Sequence, residues 1–214
     1  MKKSVRIALG KVTLDGDLVM PDSAKGIVLF AHGSGSSRFS PRNRHVADVL
    51  NKAGIATLLM DLLTKEEEKI DDVTAELRFD IRMLAERVVK AVEWLRKNDD
   101  TRKLSIGCFG ASTGAAAALI AAAERPADVK AVVSRGGRPD LAIQYLPKVK
   151  APTLLIVGGD DEPVISMNRE ALERLDAVKK LEIVPGATHL FEEQGKLEIV
   201  AKLAAEWFRK YLGK

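Results

Sequence analysis

The chain holds 214 residues, 46% of them hydrophobic, enough to bury a full core, and one domain over residues 1–214 is expected. Lys and Arg number 34 against 30 Asp and Glu, a formal charge of +4; because the two signs are interleaved, the pattern points to solubility and away from a nucleic-acid partner. The lone cysteine, Cys108, excludes an internal disulfide and a Cys-x-x-Cys metal or redox pair, and no long apolar run offers a membrane span. A soluble protein of a reducing, cytoplasmic compartment with no membrane partner is therefore expected.

In chain order, alternating apolar residues in Val5 to Leu9 and Val12 to Val19 predict an opening antiparallel pair, turning at Gly10-Lys11 or at Asp15-Gly16. Ile27 to Ala31 and Ile55 to Met60 are continuous apolar runs, the pattern of strands covered on both faces. Between them, Arg42 to Ala53 carries Val46, Val49 and Leu50 at helical spacing and stops at Gly54, which makes it a crossover helix. Thr64 to Asp72 is acidic and short of apolar residues, so a solvated loop is expected there. Asp71 or Asp72 then caps a long helix in which Val73, Leu77, Ile81, Leu84, Val88, Val92 and Leu95 recur every three or four residues.

Leu104 to Phe109 reads as a short buried strand, and Ala115 to Ala123 as a helix-forming run. Further strands are expected at Val129 to Val133, Thr153 to Val157 and Leu181 to Val184. Helices are expected at Leu141 to Leu146, Asn168 to Ala177 and Lys196 to Leu212. Strands and helices alternating at these lengths argue an α/β, doubly wound domain with a largely parallel sheet.

Between the strand ending at Phe109 and the helix beginning at Thr113 lies Gly110-Ala111-Ser112-Thr113-Gly114, a G-x-S-x-G pattern. A serine on such a strand-to-helix turn is held in a strained conformation with its hydroxyl exposed at the carboxyl edge of the sheet. The first free N–H groups of the helix stand beside it, where an oxyanion would form. A serine hydroxyl also needs a base, and the base needs an orienting carboxylate. Of the three histidines, His189 follows the last predicted strand and so lies on the same edge. His45 falls within a charged helix and reads as a solvated surface residue, while His32 reads as shaping the loop after its strand. Asp160 and Asp161 follow the strand Thr153 to Val157, and one of them is suited to cap a helix near Ile165. Serine, then aspartate, then histidine is the chain order used by one hydrolase fold and differs from other serine-protease orders. The small-residue loop His32 to Ser37 offers a second oxyanion donor near Gly33 to Gly35, beside the N–H of Thr113. Arg135 follows another strand at this edge, where a guanidinium could clamp a substrate carboxylate or phosphate or pair with a neighbouring acid. Arg38, Arg42 and Arg44 divide the same way, with loop anchoring favoured.

Taken together, His32-Gly33-Ser34-Gly35-Ser36-Ser37-Arg38, Gly110 to Gly114, Gly158-Gly159-Asp160-Asp161 and Gly186-Ala187-Thr188-His189 resemble the α/β-hydrolase superfamily, and within it the dienelactone-hydrolase-like group. The resemblance spans nearly the whole chain. It implies a mostly parallel sheet of about eight strands flanked by helices, with no large cap domain. It also implies Ser112 as nucleophile, His189 as general base and then acid, and Asp161 in preference to Asp160 as the orienting carboxylate. The backbone of Thr113, Gly33 and Ser34 would form the oxyanion hole, with Arg38 and Arg135 as candidates for substrate contact. Enzymes that open dienelactones use cysteine where this chain has Ser112, which directs the expectation to a serine esterase acting on small carboxylic esters. Neither a metal nor an organic cofactor is implied. A non-catalytic binding protein of the same fold, or a thioesterase or peptidase, would share these parts.

Overall fold

Eight strands join into one sheet in the computed structural model, which describes residues 1–213. Strands β1 (Lys2–Ala8) and β2 (Thr13–Val19) form an antiparallel hairpin with Lys2 opposite Val19, and the chain reverses at Gly10 and Lys11, not at Asp15-Gly16. Strand β2 also runs antiparallel to β4 (Ala56–Met60). From β4 onward the sheet is parallel: β3 (Gly26–Ala31), β5 (Ser105–Ala111), β6 (Val129–Arg135), β7 (Thr153–Gly158) and β8 (Lys179–Val184) complete the order β1-β2-β4-β3-β5-β6-β7-β8. The order reverses between β3 and β5, so the chain segments leaving these two strands diverge and open a crevice at their carboxyl ends.

The continuous apolar runs follow from helices on both faces. In β3, Ile27, Leu29 and Ala31 pack into one core while Val28 and Phe30 pack into the other. Helices α1 (Pro41–Lys52) and α6 (Lys196–Leu212) cover the Phe30 face, where Phe30 and Phe109 stack at 4.8 Å. Helices α3 (Ile81–Lys97) and α4 (Thr113–Glu124) cover the other. Helix α4 is buried along nearly its whole length, and its alanines let it lie close to the sheet.

Several sequence expectations are corrected. The acidic stretch expected as a loop is mostly helix α2 (Lys65–Thr74), started by a reciprocal capping box. The Glu67 N–H donates to Thr64 Oγ1 at 3.2 Å, and the Thr64 N–H donates to Glu67 Oε2 at 2.8 Å. Glu67 also takes two hydrogen bonds from the buried Arg87 of α3, at 2.7 and 2.6 Å, so a charged segment is held by a paired charge and not by apolar contact. Asp71 is therefore not a helix cap. It is buried and bonded to Arg78, while Asp80 caps α3 through the Met83 N–H. Val73 stands exposed on α2, outside the helix expected to contain it. The helix expected at Asn168 to Ala177 is α5 (Glu162–Arg174), which starts six residues earlier. The one expected at Leu141 to Leu146 is replaced by short 3-10 turns, Pro139–Ala142 and Leu146–Lys148.

Candidate active site

Ser112 is the hinge between β5 and α4, with φ 50° and ψ −122°, a positive-φ conformation that costs free energy for any residue with a side chain. The turn is possible because Gly114 lets α4 start against the end of β3. A Cβ there would lie 2.3 Å from the carbonyl oxygens of both Ala31 and His32. The Ser112 N–H donates to the Arg135 carbonyl at 3.2 Å, which ties the elbow to the end of β6.

His189 sits in the loop between β8 and α6. The Ala187 N–H bonds back to Val184 O and the Phe191 N–H to Thr188 O, and Phe191 is buried in the α1/α6 core, so the loop is anchored on both sides of the imidazole. Asp161 stands at the start of α5, but its side chain makes no capping bond. Its Oδ2 lies 2.7 Å from His189 Nδ1 instead, and His189 Nε2 lies 3.3 Å from Ser112 Oγ. Because a carboxylate only accepts, the Nδ1 proton points at Asp161, leaving the Nε2 lone pair for the serine hydroxyl. Gly158 permits this closure: a Cβ there would come within 2.4 Å of Ala187 O and 2.6 Å of Thr188 O, in the loop that carries His189. Asp160 is exposed, and its N–H bonds to Ala187 O.

The loop after β3 is set by His32. Its Nε2 accepts the Leu62 N–H at 3.0 Å, so its proton is on Nδ1, which donates to Gly33 O at 2.9 Å. Burial holds its pKa below the ordinary histidine value, keeping the ring neutral. Gly33 packs against the elbow, its missing Cβ leaving 3.1 Å to Ser112 Cβ. Ser34, expected as an oxyanion donor, has its N–H engaged by Thr113 Oγ1 at 3.0 Å, and the two hydroxyls lie 2.9 Å apart. A cavity of about 480 Å³ opens beside this loop, with His32, Ser34, Phe39, Arg42 and Leu62 in its walls.

Arg38, a candidate for substrate contact, faces acids of its own chain. Its N–H and guanidinium both bond to Asp61, with Asp15 and Asp17 within 4.0 Å, so it braces the loop. Arg138 is likewise taken by Asp140. Arg135 is buried, and no carboxylate pairs with it among the described residues. His45 is half-buried with Nε2 enclosed, not the solvated residue expected. Cys108 is fully buried, and burial pushes its thiol up to about 12, which leaves it inert. Among the described residues, no three His, Cys, Asp or Glu side chains group to hold a metal, and no helix is long and apolar enough to cross a membrane.

In comparisons with known proteins, the crystal structure of a dienelactone hydrolase from Anabaena variabilis is 64% identical, covering 99% of this chain and 98% of that one, with a TM-score of 0.98. Est1E from Butyrivibrio proteoclasticus, 18% identical, covers 99% of each chain at a TM-score of 0.83. A Pyrococcus furiosus esterase, 21% identical, covers 100% of this chain and 94% of its own at 0.81; both share the fold. Two Mycobacterium tuberculosis proteins named as putative phosphoribosyl transferases are 54% identical over 210 residues, 98% of this chain but 46% of theirs. The chain thus spans about half the length of the curated relatives it matches. Residues 14–212 match the model of the Dienelactone hydrolase family, and with the sheet order and the elbow they place the chain in that family of the α/β-hydrolase superfamily.

Proposed function

We propose that the protein is a serine hydrolase that cleaves small carboxylic esters through an acyl-enzyme. The observation that carries this reading is the continuous chain of contacts from Asp161 through His189 to Ser112, at 2.7 and 3.3 Å, at the carboxyl edge of the sheet. The longer of the two is within the range that free hydrolytic sites show before substrate tightens them.

In this mechanism His189 Nε2 takes the hydroxyl proton as Ser112 Oγ bonds to the acyl carbon, and Asp161 stabilises the imidazolium that forms. The tetrahedral oxygen is held by the Thr113 N–H, a first-turn donor of α4 with no acceptor inside the helix, and by the Gly33 N–H of the facing loop. The Ser34 N–H is satisfied by Thr113 Oγ1, which ties that loop to the elbow. Collapse of the intermediate breaks the ester C–O bond, and the alcohol leaves with the proton from His189. Water then attacks the acyl carbon, giving its proton to His189, and the acid departs as Ser112 regains its hydrogen. The serine proton leaves with the alcohol and one from water replaces it, so Ser112 and His189 end the cycle as they began it and water is the only co-reactant.

The test exposes the purified protein to a fluorophosphonate and a short-chain aryl ester, then repeats both with Ser112→Ala. Loss of labelling and of turnover is expected; labelling and turnover undiminished in the variant would remove Ser112 from the mechanism.

A further inference from the structure

We propose that Arg135 and Arg42 form a binding site for a small oxyanion group, a carboxylate or a phosphate, beside the hydrolytic centre. Arg135 is 6% exposed, and its Nε and Nη1 are buried with no hydrogen-bond partner among the described residues. The chain does not treat its other enclosed arginines this way: Arg87 has Glu67, Arg78 has Asp71 and Arg38 has Asp61. A buried guanidinium without a counter-charge is among the costlier features a fold can carry. Burial and the neighbouring Arg42 push the guanidinium down to about 10, still charged at neutral pH, so loss of its proton does not relieve the deficit.

The charged neighbour of Arg135 is a second arginine. Arg135 follows Ala131 and Val133 along the face of β6 that packs under α1 and α6. Arg42, in the first turn of α1, repels it. Arg42 bonds to Glu192 at 2.7 Å through Nη1, while its own Nε is buried without a partner. No acidic residue stands in that first turn. Two adjacent guanidinia with unused donors match the planar, two-oxygen edge of a carboxylate or phosphate.

The site also adjoins the reacting groups through backbone. The Arg135 carbonyl accepts the Ser112 N–H, and a Cβ on the next residue, Gly136, would come within 3.4 Å of His189 Cε1. An oxyanion group here is either free in solution or carried by the ester; the second source rests on the serine hydrolase reading.

Thermal unfolding at constant ionic strength, with phosphate or acetate replacing chloride, tests the site without any turnover. Millimolar phosphate is expected to raise the melting temperature of the wild type by about 2–4 °C and to leave Arg135→Met unmoved. Removing an unpaired buried charge spares stability, and Arg42→Gln, which should halve the response or more, is the second variant should Arg135→Met fold poorly. The source is then read from a pair of aryl esters of equal length, one ending in a carboxylate and one in a neutral amide. For a substrate-borne anion, kcat/KM favours the carboxylate on the order of tenfold to a hundredfold in the wild type, and the ratio falls to about one in Arg135→Met. A thermal response without ester preference assigns the site to a free anion. A thermal response with no ester turned over would sustain the site and sink the hydrolase reading. No thermal response to either anion, together with a ratio near one in the wild type, overturns the proposal.

Discussion

Replacing Asp161 with Asn keeps the shape of the side chain and removes the charge that faces His189 Nδ1 across 2.7 Å. An aspartate and an imidazolium about 4 Å apart between charge centres attract by about 4 kcal/mol at an effective dielectric constant of about 20. The His189 side chain is 38% exposed, so water screens part of this, and the loss expected in the transition state is about 3–4 kcal/mol. At 1.36 kcal/mol per decade, kcat on a short-chain aryl ester should fall about 100-fold to 1000-fold. The amide also offers an N–H to Nδ1, favouring the tautomer whose Nε2 proton opposes the serine hydroxyl. Stability is a clean control: the Asp161 side chain caps nothing, and Asn is as good as Asp at the start of a helix, so urea unfolding should change by less than about 1 kcal/mol. If Asp161→Asn kept kcat within about threefold while the exposed Asp160, similarly replaced, lost activity, the orienting carboxylate would have been misassigned.

Two further outcomes follow from the site's supports. Gly114→Ala places a methyl 2.3 Å from two carbonyl oxygens of β3 and its loop, both backbone and unable to yield without moving α4. A loss of about 3 kcal/mol or more is expected by chemical denaturation, with activity falling further than the folded fraction because Thr113 and Gly33 are driven apart; a fully stable, fully active variant would contradict the close approach. His32 is neutral when folded because burial lowers its pKa, whereas the unfolded chain takes a proton below about 6.5. Its stabilising contribution is therefore complete above about 6.5 and is lost as pH falls from there through the lowered folded value. His32→Gln should flatten the fall in unfolding free energy between pH 7.5 and 5.5, and identical pH profiles for the two proteins would show that His32 is not buried neutral.

Much of the architecture was legible because its causes are local. Ile27 to Ala31 is apolar at every position since helices cover both faces, and Gly110-x-Ser112-x-Gly114 marks an elbow that only glycine-flanked backbone can make. Helix α2 was missed although its signal was present: Thr64 and Glu67 are three apart, the capping-box spacing, but the charged composition outweighed it. The long helix was extended back to Val73 because apolar spacing continues through a break that Asp80 imposes.

Sequence by itself determined the alternating elements, the parallel sheet, and which side chains stand at its carboxyl edge, because backbone geometry and apolar period depend on neighbouring residues. Partnership across the fold was decided by tertiary structure alone. Arg38 meets Asp61 and Ser34 meets Thr113 across 23 and 79 residues, so each loses a substrate-facing role that its own neighbourhood allowed. The same holds for Arg135, whose want of a counter-charge among the described residues appears only once their carboxylates have been placed in space, since charge pairing follows distance through the fold and not order along the chain.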